Sequence, residues 1–337
     1  MSSPQPRRPE CQRRQNHQGR CGASPRRWLG LTLTLALVLV GCGPRAQRDD
    51  RGATAAPAAD AGAPLVLTSF TVLADMASEV ACGQLRVESI TRPGAEIHGY
   101  EPTPSDLRRA QGAQLVLVNG LNLELWMQRY LANARGAAQA VVSEGVDVIL
   151  ISDDAAAGKP NPHAWMSPRQ ARTYVANIRD AFIDLDPANA ATYRRCADAY
   201  SAELEALDAE LREQLALLPA ARRLLVSCEG SLSYLAADYG LEEAYLWPVN
   251  AETEVTPQRM ERVIRTVRER QVPAVFCEST VDDRPQRRVA EETGARFGGV
   301  FYVDSLSEPD GPAPTYLAML RHNANTLVQG LRADGQR

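Results

Sequence analysis

Two histidines stand in matching settings. One lies in Ile97-His98-Gly99-Tyr100-Glu101-Pro102-Thr103-Pro104, the other in Asn161-Pro162-His163-Ala164-Trp165-Met166-Ser167-Pro168. Each sits in a proline-bracketed segment just before a helix start, where a loop is held rigidly enough to position a ligand. Imidazole serves as a metal ligand or as a proton carrier near neutral pH. A lone loop histidine is commonly just exposed, but two in the same context within one half of a chain point to a shared ligand. His322 falls inside the last helical segment and reads as a surface or packing residue. The sequence has no Gly-x-Ser-x-Gly elbow, no phosphate loop and no Gly-x-Gly-x-x-Gly after a strand, so nucleophilic and nucleotide chemistry lack a handle. No Cys-x-x-Cys pair occurs either, which argues against thiolate zinc sites and thioredoxin-like redox chemistry.

The elements that must carry these histidines alternate between strand and helix. Runs 65–68, 114–119 and 147–152 read as strands, and Ser105-Asp106 and Ser167-Pro168 read as helix starts. After Ser167, residues Ala171, Val175, Ile178, Phe182 and Leu185 recur every three or four positions, giving one buried stripe. Residues 187–218 differ: Tyr193, Ala197, Tyr200, Leu204, Leu207, Leu211, Leu215 and Leu218 share one face opposite charged residues. As a single helix this segment would reach roughly 48 Å, enough to lie across two lobes. Strands are then expected at 223–228, 274–279 and 301–305, with helices near 231–239, 257–270, 285–293 and 314–331. The expected fold is α/β: two lobes, each with a mainly parallel sheet flanked by helices, joined by one long rigid helix.

Ahead of this body, Arg26-Arg27 and the apolar run 29–40 have the grammar of a secretory signal. The run is too short to span a bilayer, which takes about 20 residues. Its end, Leu39-Val40-Gly41-Cys42, resembles the lipobox of bacterial lipoproteins, in which the cysteine is lipidated and begins the mature chain. Expected boundaries are therefore a signal peptide at 1–41, an anchor and flexible tether at 42–63, an N-terminal lobe at 64–186, the linking helix at 187–218 and a C-terminal lobe at 219–337. A tether this long spans on the order of 25 Å. Losing a leader with seven arginines and one glutamate takes the formal charge from −4 to −10, which argues against nucleic acid and anionic lipid as partners. Besides Cys42, the mature chain keeps Cys82, Cys196, Cys228 and Cys277, an even number in an oxidising compartment.

His98-Gly-Tyr-Glu-Pro-Thr-Pro104, Asn119-Gly-Leu-Asn-Leu-Glu124, Asn161-Pro-His-Ala-Trp-Met-Ser-Pro168 and Cys277-Glu-Ser-Thr-Val-Asp-Asp-Arg-Pro285 together resemble the metal-binding lipoproteins of bacterial zinc and manganese ABC importers, most closely the manganese branch. The resemblance runs from Pro64 to about Gly330. It implies a metal held between two lobes by two residues from each: His98 and His163 from the first, then Glu229 and Asp304 from the second. Both acidic positions follow expected parallel strands, where α/β sheets bind ligands. Asp304 has rivals in Glu278, Asp282 and Asp283. Zinc-type members typically place histidine where Glu229 stands, and their long His-rich loop is missing here.

Two imidazoles and two carboxylates neutralise one divalent cation and allow coordination above four, which suits manganese over tetrahedral zinc. The histidines place proton competition with the metal near pH 6.5. Cys228 adjoins Glu229, and Cys277 ends a strand that should lie beside it, so a disulfide between them is expected; the other reading is two buried free cysteines. The resemblance further implies no enzymatic activity, a bound Mn²⁺ or Zn²⁺ as cargo, an ABC permease with its cytoplasmic ATPase as partners, a monomer, and a place outside the cytoplasm on a lipid anchor. A metallohydrolase using His98 and His163 is the reading from another class. It would require an open coordination position and a base aimed at bound water. A surface adhesin is a third, with no repeat or stalk to support it.

Overall fold

The structure, a computed structural model, describes residues 62–127, 130, 136–152, 156–249 and 255–332. The expected signal peptide, Cys42 and nearly all of the tether lie outside the described residues.

The first half is built on a four-stranded parallel sheet, in the order β2-β1-β3-β4. Its strands are β1 (Leu65–Thr68), β2 (Arg86–Ser89), β3 (Leu115–Val118) and β4 (Ala138–Val141). The central pair, Leu-Val-Leu-Thr and Leu-Val-Leu-Val, is buried throughout, as parallel strands covered on both faces must be. The outer strands, Arg-Val-Glu-Ser and Ala-Gln-Ala-Val, are partly exposed and carry no continuous apolar run, so the sequence did not announce them. The apolar segment 147–152, expected as a strand, is not one. With β4 already on that side of β3, it makes only a single antiparallel bridge, Leu150 to Pro160, and leaves Leu150 59% exposed.

Helix α1 (Thr71–Ala81) leaves β1 after only two residues. Helix α2 (Pro104–Ala110) starts one residue earlier than Ser105: Thr103 caps it, and Asp106 returns the contact in a capping box. Helix α3 (Pro168–Leu185) opens where expected, with Ser167 Oγ accepting from Gln170 N. The long helix α4 (Ala190–Ala216) has 27 residues, so it runs about 40 Å. It falls short of the expected reach because Pro187–Asn189 forms a separate 3₁₀ turn and the helix ends at Ala216, two residues before Leu218.

The second half alternates β5 (Leu224–Glu229), α5 (Ser233–Tyr239), β6 (Glu242–Trp247), α6 (Pro257–Glu269), β7 (Ala274–Glu278), α7 (Arg284–Thr293), β8 (Arg296–Phe301) and α8 (Tyr316–Arg332). Strands β5 and β6 pair in parallel, as do β7 and β8, and β5 lies beside β7. Strand β8 precedes its expected place at 301–305, because it contains Gly298-Gly299, residues of poor strand propensity. Glycine is required at 298: a Cβ there would stand 2.5 Å from the Phe276 ring.

Helix α4 packs on α1 and α3 of the first half and on α5 and α8 of the second, with Tyr193, Tyr200, Leu204, Leu207, Leu211 and Leu215 buried beneath it. One apolar core runs without a break through both halves. Two disulfides brace the body: Cys82–Cys196 joins the end of α1 to α4, and Cys228–Cys277 joins β5 to β7. No helix among the described residues is long and apolar enough to cross a membrane.

Candidate metal centre

His98 lies in the loop between β2 and α2. Its backbone N–H and that of Gly99 each donate to the Glu96 carboxylate at 2.7 Å, which holds the loop in place. His163 immediately precedes a 3₁₀ turn, Ala164–Met166, that leads into α3. The Asn119–Glu124 segment supports it from beneath. Glu124 accepts from Ser69 Oγ and from the amides of Asn119 and Gly120, while Asn119 Nδ2 donates to the Pro162 carbonyl.

Glu229 is the last residue of β5, and Asp304 follows β8 by three residues. The longer connection is needed because β8 ends early. Thr280 Oγ1 donates to Asp304 Oδ2 at 3.3 Å and aims the other oxygen inward.

His98, His163 and Asp304 each bring a donor within 4.8 Å of the others, and Glu229 lies beside both histidines. His98 Nε2 is 3.2 Å from His163 Nε2 and 3.5 Å from Glu229 Oε1. His163 Nε2 is 3.9 Å from Glu229 Oε1 and 3.7 Å from Asp304 Oδ1. Donors about 2.1 Å from one ion stand about 3.0 Å apart at a right angle and about 3.4 Å apart in a tetrahedron, so these spacings are close to those around a single cation. Relative exposure is 9% for His98, 1% for Asp304 and zero for His163 and Glu229. Asp304 Oδ1 is buried with no hydrogen-bond partner among the described residues. Leaving a carboxylate oxygen so is costly unless a cation completes it.

Burial lowers the pKa of His98 to about 4. His163 is pushed well below its ordinary range by burial and by the neighbouring imidazole of His98. Both rings are therefore neutral at physiological pH, the form that ligates metal. Burial, reinforced by the charge of Glu96, raises Asp304 to about 7 despite the Thr280 hydroxyl.

The acidic rivals are placed apart. Asp282 pairs with Arg284, and Asp283 pairs with Arg287 at 2.8 Å, all at the surface. Glu278 is buried, but it lies under Glu229, accepting from Glu229 N and from Ser231 Oγ at 3.0 Å. It also neighbours Cys228 and Cys277, whose sulfurs are bonded to each other and so are not thiolate donors. His322 lies outside the centre, with Nε2 3.1 Å from the Val300 carbonyl and its ring against Tyr302. Sequence reasoning missed Glu96, Asn161 and Glu278 as supports. Asn161 and Glu278 sit inside the quoted motifs, whereas Glu96 has only its spacing of two from His98 as a signal.

A buried cluster of neutral imidazoles and carboxylates, drawn from both halves of a two-lobed α/β body, has the donor chemistry of a site for a metal cation. Residues 66–330 match the family described as zinc-uptake complex component A, periplasmic, and the chain belongs to that family of metal-binding components of ABC transporters. It is 49% identical over 265 residues to the iron-binding protein YfeA of Yersinia pestis, covering 79% of this chain and 85% of that one. It is 33% identical over 273 residues to the manganese ABC transporter substrate-binding lipoprotein PsaA of Streptococcus anginosus, covering 79% and 88%. Among solved structures, the Mn-bound periplasmic metal binding protein from candidatus Liberibacter asiaticus superposes with a TM-score of 0.74 at 39% identity, covering 80% of this chain and 99% of that one.

Proposed function

We propose that His98, His163, Glu229 and Asp304 together hold one divalent transition-metal ion, with manganese the favoured cargo, and that the protein hands it to an ABC permease driven by a cytoplasmic ATPase. The observation that carries this reading is the convergence of these side chains from both lobes, with Asp304 Oδ1 buried and without a hydrogen-bond donor among the described residues. Two carboxylates can supply up to four oxygens, and an oxygen-rich shell suits Mn²⁺ or Fe²⁺ better than tetrahedral zinc. Iron enters as a second cargo because the relative at 49% identity is named as iron-binding. Zinc stays in competition because first-row affinities rise towards the end of the series for any such donor set.

Lipid on Cys42 would tether the protein outside the cytoplasm. Competitive titration with Mn²⁺, Fe²⁺ and Zn²⁺ under anaerobic conditions tests the site. Asp304→Ala should abolish binding of all three metals, and Asp283→Ala and His322→Ala should leave it intact. The opposite pattern would overturn the assignment. Metal analysis of the protein purified from its native host tests the cargo.

A further inference from the structure

The Asn161 side chain touches both a proposed first-lobe ligand and the loop bearing a second-lobe one. Its Oδ1 accepts from His163 N at 3.1 Å and lies 2.9 Å from His163 Nδ1. Its Nδ2 donates across the lobes to the Gly230 carbonyl at 2.7 Å and to Ser233 Oγ at 3.2 Å. Gly230 directly follows Glu229 in the chain.

The partners settle which way the amide points. A backbone carbonyl can only accept and a backbone N–H can only donate, so Nδ2 must face Gly230 and Oδ1 must face His163. Oδ1 then obliges His163 Nδ1 to carry the ring hydrogen, leaving the Nε2 lone pair aimed at His98, Glu229 and Asp304. The backbone of Asn161 is fixed as well. Its carbonyl accepts from Tyr234 Oη at 2.7 Å, the same hydroxyl accepts from Ile149 N, and its N–H donates to the Ile149 carbonyl. Asn161 is 3% exposed, so water does not substitute freely for any of these contacts.

We propose that Asn161 is a positioning residue that couples the tautomer of His163 to the seating of the second lobe, so that a single amide governs both how tightly the metal is held and how fast it leaves. Any displacement of the Gly230 loop that carries Glu229 away pulls on the group that orients His163. Ligands from the two lobes are thereby weakened together, which favours release as one event. This inference rests on His163 being a metal ligand.

The test uses the mature protein with Zn²⁺ and Mn²⁺ as probes. It reads dissociation rates by chelator competition and the His163 tautomer from ¹⁵N imidazole shifts of the metal-free protein. Asn161→Asp keeps an acceptor for Nδ1–H but sets an oxygen against the Gly230 carbonyl. It should retain the tautomer and speed dissociation at least about tenfold. Asn161→Ala removes both links and should mix the tautomers and weaken binding roughly 10- to 100-fold, the usual cost of losing a support of a metal-bound histidine. Tyr234→Phe, which loses one hydroxyl and touches neither histidine, should speed dissociation with the tautomer intact. It keeps the test decisive if Asn161→Ala folds poorly. Dissociation within twofold of wild type in both Asn161→Asp and Tyr234→Phe would overturn the coupling. His163→Ala separates the two levels: if it binds metal as wild type does, the ligand assignment itself falls.

Discussion

At the scale of single residues, the centre sets carboxylates against imidazoles under deep burial, and its pH dependence follows from that. The sequence alone places proton competition at the histidines, near pH 6.5. Burial moves it, with His98 titrating near 4 and Asp304 near 7. On the proposed assignment the metal needs Asp304 as the carboxylate, so affinity should begin to fall as pH drops through about 7. His98 should add to the loss only below about 4.

The metal-free protein should behave in the opposite sense. Burial raises Glu278 to about 8 and Asp75 to about 7, alongside Asp304. Each of these groups titrates near 4 when unfolded, so between pH 8 and 6.5 the folded chain binds more protons than the unfolded one. Their stabilising contribution is present at low pH and lost as pH rises through the folded pKa. His98, depressed in the fold, works against this only between about 6.5 and 4. The expected outcome is that the melting temperature of chelator-treated protein rises from pH 8 to 6.5, while the increment added by metal shrinks; thermal scans with and without Mn²⁺ check both. Glu229→His is expected to remove an anionic oxygen and supply a third imidazole, lowering Mn²⁺ affinity while Zn²⁺ is retained or gained. Competitive titration decides it, and unchanged manganese affinity would count against Glu229 as the residue that sets preference.

At the scale of elements, the two disulfides brace different things. Cys82–Cys196 closes a loop of 114 residues and fastens α1 to α4, away from the centre. Cys228–Cys277 closes one of 49 and fastens β5, whose last residue is Glu229, to β7, whose last residue is Glu278. On the chain-entropy account, replacing the first pair by serine should cost about 4–5 kcal/mol of stability and leave metal affinity unchanged. Replacing the second should cost about 3–4 kcal/mol and also weaken metal binding, because Glu229 N donates to Glu278 across that junction. Denaturant unfolding and metal titration separate the two effects, and peptide mapping without reductant verifies the pairing.

Central strands and helix caps were legible because their signals are local: an unbroken apolar run, or serine followed by proline at a helix start. Strands β2, β4 and β6 were not, because a half-exposed strand has neither continuous burial nor strict alternation. The misplaced segment 147–152 shows the converse, apolar residues that make one antiparallel bridge to Pro160 and join no sheet among the described residues.

At the scale of the whole molecule, the lobes are tied by more than the long helix. Trp165 Nε1 donates to the Val303 carbonyl at 3.0 Å, and Leu306 N donates to Thr71 Oγ1 at 2.9 Å, both across the interface. Asp75 of α1 accepts from Tyr316 N at 2.8 Å, capping the start of α8. A shared core and such contacts predict small lobe displacements on metal binding rather than a wide hinge, which small-angle scattering with and without metal can measure.

The tether belongs to this scale too. Two or three acyl chains on Cys42, at about 0.8 kcal/mol per buried CH₂, would anchor the body stably where one chain would not. Cys42→Ala should therefore move the protein to the soluble fraction. Persistence in carbonate-washed membranes would argue against that anchor.

The sequence by itself determined the class of fold and singled out both histidines as candidates. Hydrophobic periodicity and proline-bracketed loops are written in consecutive residues, and the His98 and His163 motifs are contiguous. It also pointed to Glu229 and Asp304, but through a resemblance, with Glu278, Asp282 and Asp283 left as rivals. Only the tertiary structure separated them, because whether a carboxylate faces a cleft, a neighbouring amide or a surface arginine depends on where its strand ends relative to others. The same holds for Cys82–Cys196, two residues that spacing could not pair and that α1 and α4 bring together, and for Asn161, whose amide has meaning only once Gly230 stands across from it.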